Sequence, residues 1–206
     1  MLIASSQAHD QTERWRAFIC NHMSQSAALT QRTAETSADS ILGAAGVMVD
    51  CFRSGKKVLI CGNGGSAADA QHMAAEFLNR LSRDCDRPGL PAIALTTDTS
   101  FLTAYANDYG YDGVFERQVH TLANAGDVLI GISTSGNSQN VIRAVTAGRE
   151  RKLMTIGLLG EGGSLGALVD QAVVVESRDT QHVQECFLAI EHALCLVVEQ
   201  ALFASK

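Results

Sequence analysis

Five short, almost wholly apolar runs punctuate this chain: Val58 to Cys61, Ala92 to Leu95, Val128 to Ile132, Met154 to Leu159 and Ala172 to Val175. Each has the length of a strand, and helical stretches separate them. A strand that is apolar on both sides must be buried on both faces. Such strands alternating with helices predict an α/β fold, a parallel sheet flanked by helices on both faces. Both prolines, Pro88 and Pro91, bracket the entry to the second run, and no linker, repeat or low-complexity tract divides the 206 residues. One core is expected.

The ends of the chain read differently. Residues 1–55 form a helical arm in which Ile41, Leu42, Ala45, Met48, Cys51 and Phe52 recur at helical spacing until Gly55 stops the helix; residues 56–206 form the α/β unit. The last helical stretch, Thr180 to Phe203, is about 36 Å long and carries Val183, Phe187, Ile190, Leu194 and Val197 at helical spacing. Both pieces are long enough to extend past their own sheet and meet other subunits.

A formal net charge of −6 and the absence of a dense basic run argue against nucleic-acid or anionic-membrane partners and point to a small ligand. The six cysteines lack CxxC pairs or a disulfide-like spacing and read as reduced thiols. The start, MLIASSQAHDQTERW, has no basic region followed by a long apolar stretch, and no segment approaches about 18 uninterrupted apolar residues. A cytoplasmic protein is expected.

Ligands of open parallel sheets bind beyond the carboxyl ends of the strands, and three loops lie there. In CGNGGSAADAQH (61–72), Gly62, Gly64 and Gly65 permit a tight turn and Ser66 opens a helix whose free N–H groups favour an anion; a plain strand-to-helix turn is the alternative. In ISTSGNS (132–138), Ser133, Thr134, Ser135 and Ser138 can hydrogen-bond phosphate oxygens without Lys or Arg, whereas a simple N-cap needs one hydroxyl. Asn107 and Asp108 can position sugar hydroxyls or serve as ordinary turn residues.

Helical spacing adds a second set. His72 and Glu76 are i and i+4, so they share a face and suit either a divalent metal or a solvated ion pair. Gln184 and His192 are i and i+8, about 12 Å apart along the axis and about 80° apart around it, and meet only at a point between them or across a subunit boundary. Asp69 and Arg80, about one turn either side of the His72/Glu76 pair, are candidates for supporting contacts or surface salt bridges. His9, His22, His120 and His182 gain no role from spacing, and His182 points to a different face from Gln184.

Taken together and in order, CGNGGSAADAQH, HMAAE, LTAYANDYGY, GDVLIGISTSGNS and QECFLAIEH closely resemble the sugar isomerase (SIS) domain proteins of the phosphoheptose isomerase group over roughly residues 40 to 203. The resemblance implies a flavodoxin-like SIS fold and a homotetramer with active sites between subunits. It implies conversion of sedoheptulose 7-phosphate, a phosphorylated sugar, to D-glycero-D-manno-heptose 7-phosphate. The family's Zn2+ ligands fall on His72, Glu76, Gln184 and His192, and its acid–base residues on Glu76 and His192. Its substrate contacts fall on Asn63, Gly64, Gly65, Asn107, Asp108, Ser133, Thr134, Ser135, Ser138 and Gln184. ALTTDTSFLTA (94–104) looks more like a second branch of the family, a non-catalytic adaptor that binds a replication-initiator protein. That role, and isomerisation of another phosphosugar, stand as alternatives.

Overall fold

The structure, a computed structural model, describes residues 2–204, with side chains from residue 10 onward; the side chain of His9 lies outside the described residues. The helices are α1 (Leu2–Thr36), α2 (Ala38–Arg53), α3 (Gly65–Leu78), α4 (Thr99–Tyr109), α5 (Val114–Leu122), α6 (Gln139–Glu150) and α7 (Thr180–Phe203). The strands are β1 (Val58–Gly62), β2 (Ala92–Ala94), β3 (Val128–Ser133), β4 (Met154–Gly160) and β5 (Gln171–Val175). Every apolar run expected to be a strand is one.

The strands pair in parallel in the order β2-β1-β3-β4-β5, with Val58 of β1 opposite both Ala92 and Val128. Alternate side chains feed two cores. Val58, Ile60, Ile130 and Ile156 pack with α2, α3 and α7 through Met48, Phe52, Met73, Phe77, Phe187 and Leu194. Leu59, Cys61 and Leu129 pack with α5 and α6 through Phe115, Val119, Val141 and Val145 on the other side. The sheet is therefore covered on both faces, which explains why its strands are apolar throughout. The order reverses between β1 and β3, so the loops after these two strands diverge and leave a crevice at the switch point.

The N-terminal arm departs from a single helical stretch. It breaks at Ser37, a buried residue whose hydroxyl donates to the Val174 carbonyl of β5 at 2.9 Å. α2 then packs into the core through Ala45, Met48, Cys51 and Phe52 and ends at Arg53, two residues before Gly55, whose φ of 67° is left-handed, while Leu42 of the expected stripe is 56% exposed. Hence α2 is part of the core, and α1 alone reaches beyond it. Leu29 and Thr33 near its end are buried, whereas Trp15, Phe18, Ile19 and Met23 are exposed.

By length and composition α7 would suffice to cross a membrane, with a mean hydropathy of 1.7 over an 18-residue window. Its Val183, Phe187, Ile190, Leu194 and Val198 are instead buried against the sheet and its neighbouring helices. The apolarity belongs to a core helix.

Candidate active site

The β1–α3 loop turns where its glycines allow it. Gly64, the residue before α3, has φ 56° and ψ −119°, a conformation that L side chains rarely adopt. At Gly65 the constraint is space: a Cβ there would lie 2.6 Å from Oε1 of Gln184. The Gln184 side-chain amide, on the first turns of α7, also donates to Asp69 of α3. Gln184 therefore lies across the start of α3.

Asn63 and Asn140 exchange reciprocal amide hydrogen bonds, both 2.8 Å, which tie the β1–α3 loop to the start of α6. The Tyr111 hydroxyl donates to the same Asn63 oxygen at 3.2 Å. Asn140 and Tyr111 had no signal in the sequence, because their partners are 77 and 48 residues away. Asn107 and Asp108 are exposed on the last turn of α4 and bond to each other at 2.9 Å. Tyr111, two residues after α4 ends, is the nearby residue that bonds the β1–α3 loop. The TTDTS segment is used in local capping, with Asp98 accepting from the Phe101 N–H at 2.9 Å.

In the β3–α6 loop, Ser138 occupies the N-cap position of α6 but makes no side-chain cap bond. Its hydroxyl instead meets that of Ser133 at 3.0 Å, and the Ser133 hydroxyl is 3.5 Å from that of Ser135. Capping thus does not account for the hydroxyls. They cluster at the N-terminus of a twelve-residue helix, where backbone N–H groups and the helix dipole favour an anion. Ser133 is buried, Thr134 and Ser138 are half-buried and Ser135 is exposed; Ser66 is buried in the first turn of α3.

Beyond these loops, α3 and α7 bring together residues 120 positions apart. Nε2 of His72 lies 2.9 Å from Nε2 of His192, and Oε1 of Glu76 lies 3.8 Å from Nε2 of His72. One donor atom from each of the three falls within 4.8 Å of the others. His192 therefore joins the pair within one chain. Two imidazole nitrogens and a carboxylate oxygen converging without a thiolate suit Zn2+ or a similar ion. The side-chain amide of Gln184 bonds Asp69, one turn before His72 on α3, rather than any of these three residues.

Two buried carboxyls flank the cluster. Burial raises Asp69 to about 6. Burial, with the Asp69 charge second, raises Glu191 to about 9, and neither oxygen of Glu191 has a hydrogen-bond partner. Arg80, a candidate supporting residue, pairs with Asp86 at the surface instead, at 3.6 Å. The support comes from Arg87, which has no exposed side-chain surface: it bonds Glu199 of α7 at 2.8 Å and donates to the Glu76 and Phe77 carbonyls at 2.8 and 2.9 Å. Glu199 also accepts the Leu81 N–H at 2.9 Å. This ion pair fixes the end of α3 against α7, and with it the facing of Glu76 and His192.

Residues 21–160 match the SIS domain family. A phosphoheptose isomerase from Roseiflexus sp. (strain RS-1) is 49% identical over 195 residues, which covers 94% of this chain and 96% of the relative. The structure of a phosphoheptose isomerase from Neisseria gonorrhoeae superposes with a TM-score of 0.84 at 43% identity, covering 90% of this chain and 98% of that one. One from Francisella tularensis gives 0.85 at 37% identity over 89% of this chain and 97% of that one.

Proposed function

Because the chain belongs to the SIS-domain family and is an isomerase of its phosphoheptose isomerase group, we propose that it converts sedoheptulose 7-phosphate to D-glycero-D-manno-heptose 7-phosphate. In this reading it works as a cytoplasmic homotetramer with one Zn2+ per chain. The observation that carries the chemistry is the meeting of His72, Glu76 and His192 in one chain, and the hydroxyl cluster at the N-terminus of α6 supports a phosphate site.

The substrate phosphate is held by Ser133, Thr134, Ser135 and Ser138 with the first N–H groups of α6, and the sugar hydroxyls by Asn63, Gln184, Asn107 and Asp108. Gly64, Gly65 and Ser66 let the backbone approach the ligand closely. His72, Glu76 and His192, with Gln184, hold the metal, which supplies a Lewis acid for the substrate oxygens. The Glu76 carboxylate takes the proton from C1 of the ketose and returns it to C2. His192, in a state where its Nε2 is free of the metal, protonates the C2 oxygen and removes the proton from the C1 oxygen, passing through a cis-enediol. A carboxylate has two oxygens, so Glu76 can keep one at the cluster while the other moves the proton.

Sedoheptulose 7-phosphate incubated with the metal-replete protein should yield aldose signals by NMR. No isomerisation of any C5 to C7 ketose phosphate would overturn the reading in favour of the adaptor. X-ray absorption should show about one Zn2+ at this centre with nitrogen and oxygen ligands, and sulfur ligation would overturn the ligand set.

A further inference from the structure

A second group of metal-binding side chains lies outside the active site, where α1 crosses the first turns of α7. His22, Gln25 and Ser26 occupy one face of α1 at i, i+3 and i+4; His182 and Glu185 are i and i+3 on α7. Nε2 of His22 lies 2.9 Å from one Glu185 oxygen, and Nδ1 of His182 lies 3.0 Å from the other. The two rings are 4.4 Å apart, and one donor atom from each of His22, His182 and Glu185 falls within 4.8 Å of the others. The Ser26 hydroxyl bonds the same carboxylate.

The environment of His182 gives the cluster its direction. Its side chain is 8% exposed, and its Nε2 faces the Gln25 side-chain oxygen at 3.4 Å. An amide oxygen only accepts, so the ring proton belongs on Nε2, and Nδ1 of the neutral ring presents a lone pair to the Glu185 carboxylate. Two electron-rich atoms at that distance need a cation between them, a proton or a metal ion. Metal-bound histidines commonly donate their second N–H to an oxygen, the arrangement His182 has. Tetrahedral Zn2+ with bonds of about 2.0–2.1 Å needs donors about 3.3 Å apart, so the side chains would spread by a few tenths of an ångström. His22 and Glu185, 42% and 40% exposed, leave an entry path.

We propose that His22, His182 and Glu185 form a second divalent transition-metal site, of Zn2+ type, that clamps α1 to the start of α7. Gln184 lies between two of these ligands, so the clamp also fixes the turn that holds Gln184 over Gly65.

The test is metal uptake by the full chain, stripped with chelator and titrated with Co2+ and Zn2+, following Co2+ absorption and calorimetric stoichiometry. Wild type should take one equivalent more than His22→Gln, and His192→Asn should keep the His22-dependent equivalent. His22→Gln should also lose the part of the Zn2+-induced rise in Tm that His192→Asn retains. Because His22 is half exposed, the variant should fold, as circular dichroism would verify; His182→Gln provides a second, independent removal. Equal uptake by wild type, His22→Gln and His182→Gln would overturn the proposal and leave protons alone between the imidazoles and Glu185. A failure of the active-site metal reading lowers wild type and His22→Gln alike and leaves their difference intact, so the two ideas fail separately.

Discussion

Individual side chains in this protein are held by very different means, and substitution should separate them. If Glu76 and His192 move the protons, Glu76→Gln and His192→Asn should each lower kcat by about 10²–10⁴-fold with the fold retained, metal content being measured alongside. Ser135→Ala combined with Ser138→Ala should raise KM strongly, since each charge-assisted bond to phosphate contributes about 1.5–3 kcal/mol. An unchanged KM would move the phosphate elsewhere. Glu191 should behave in the opposite way. Its two carboxyl oxygens are buried and unpartnered, and a buried polar group without a partner costs about 1–3 kcal/mol. Glu191→Leu should therefore raise Tm by a few degrees, and a lowered Tm would mean that this carboxyl has a partner in solution.

At the scale of elements, two buried ion pairs join parts of the fold that are far apart in the chain. Removing one partner of Arg87–Glu199, for example by Glu199→Leu, leaves a buried charge alone and should cost about 3–5 kcal/mol in denaturant unfolding. The second pair, Lys57 with Asp127 at 2.5 Å, joins the starts of β1 and β3. Burial alone would raise the Asp127 pKa, but the bonds from Lys57 and Asn124 outweigh it and hold the carboxyl below its ordinary value. A lowered folded pKa contributes stability that is present above the unfolded value of about 3.9 and is lost as pH falls below it. The Tm of wild type should thus fall more steeply below about pH 4 than that of Asp127→Asn. None of these cross-chain pairs was legible in the sequence. Strands, the hydroxyl loop and the His72/Glu76 face were, because apolar runs and i, i+4 spacing are local. The approach of His192 to His72 depends on how α7 lies against α3, and the bonds of Arg87, Asn140 and His22 depend on tertiary packing, which no local period records. Spacing alone points to Arg80, whereas packing gives the supporting role to Arg87.

For the whole molecule, Trp15, Phe18, Ile19 and Met23 on α1 and Leu188 and Leu196 on α7 are exposed apolar side chains, the surface on which the proposed homotetramer would draw. If the protein is the proposed homotetramer, replacing Phe18 and Ile19 by Glu should lower the mass seen in sedimentation, and isomerase activity should fall with it if active sites lie between subunits. The position of α7 in the chain has a further consequence, for synthesis. It follows β1 to β5 in the chain, and it supplies Gln184, His192 and Glu199 to a structure whose strands precede it. Until residues 180–203 are in place, the core that Met73, Phe77 and Ile130 share with α2 lacks Phe187 and Leu194 of α7. Nascent chains therefore pass through an interval in which the nucleotide-to-protein clock, and not the final stability, sets their exposure to chaperones and to one another. Codon choice over residues 180–203 then bears on how long that interval lasts.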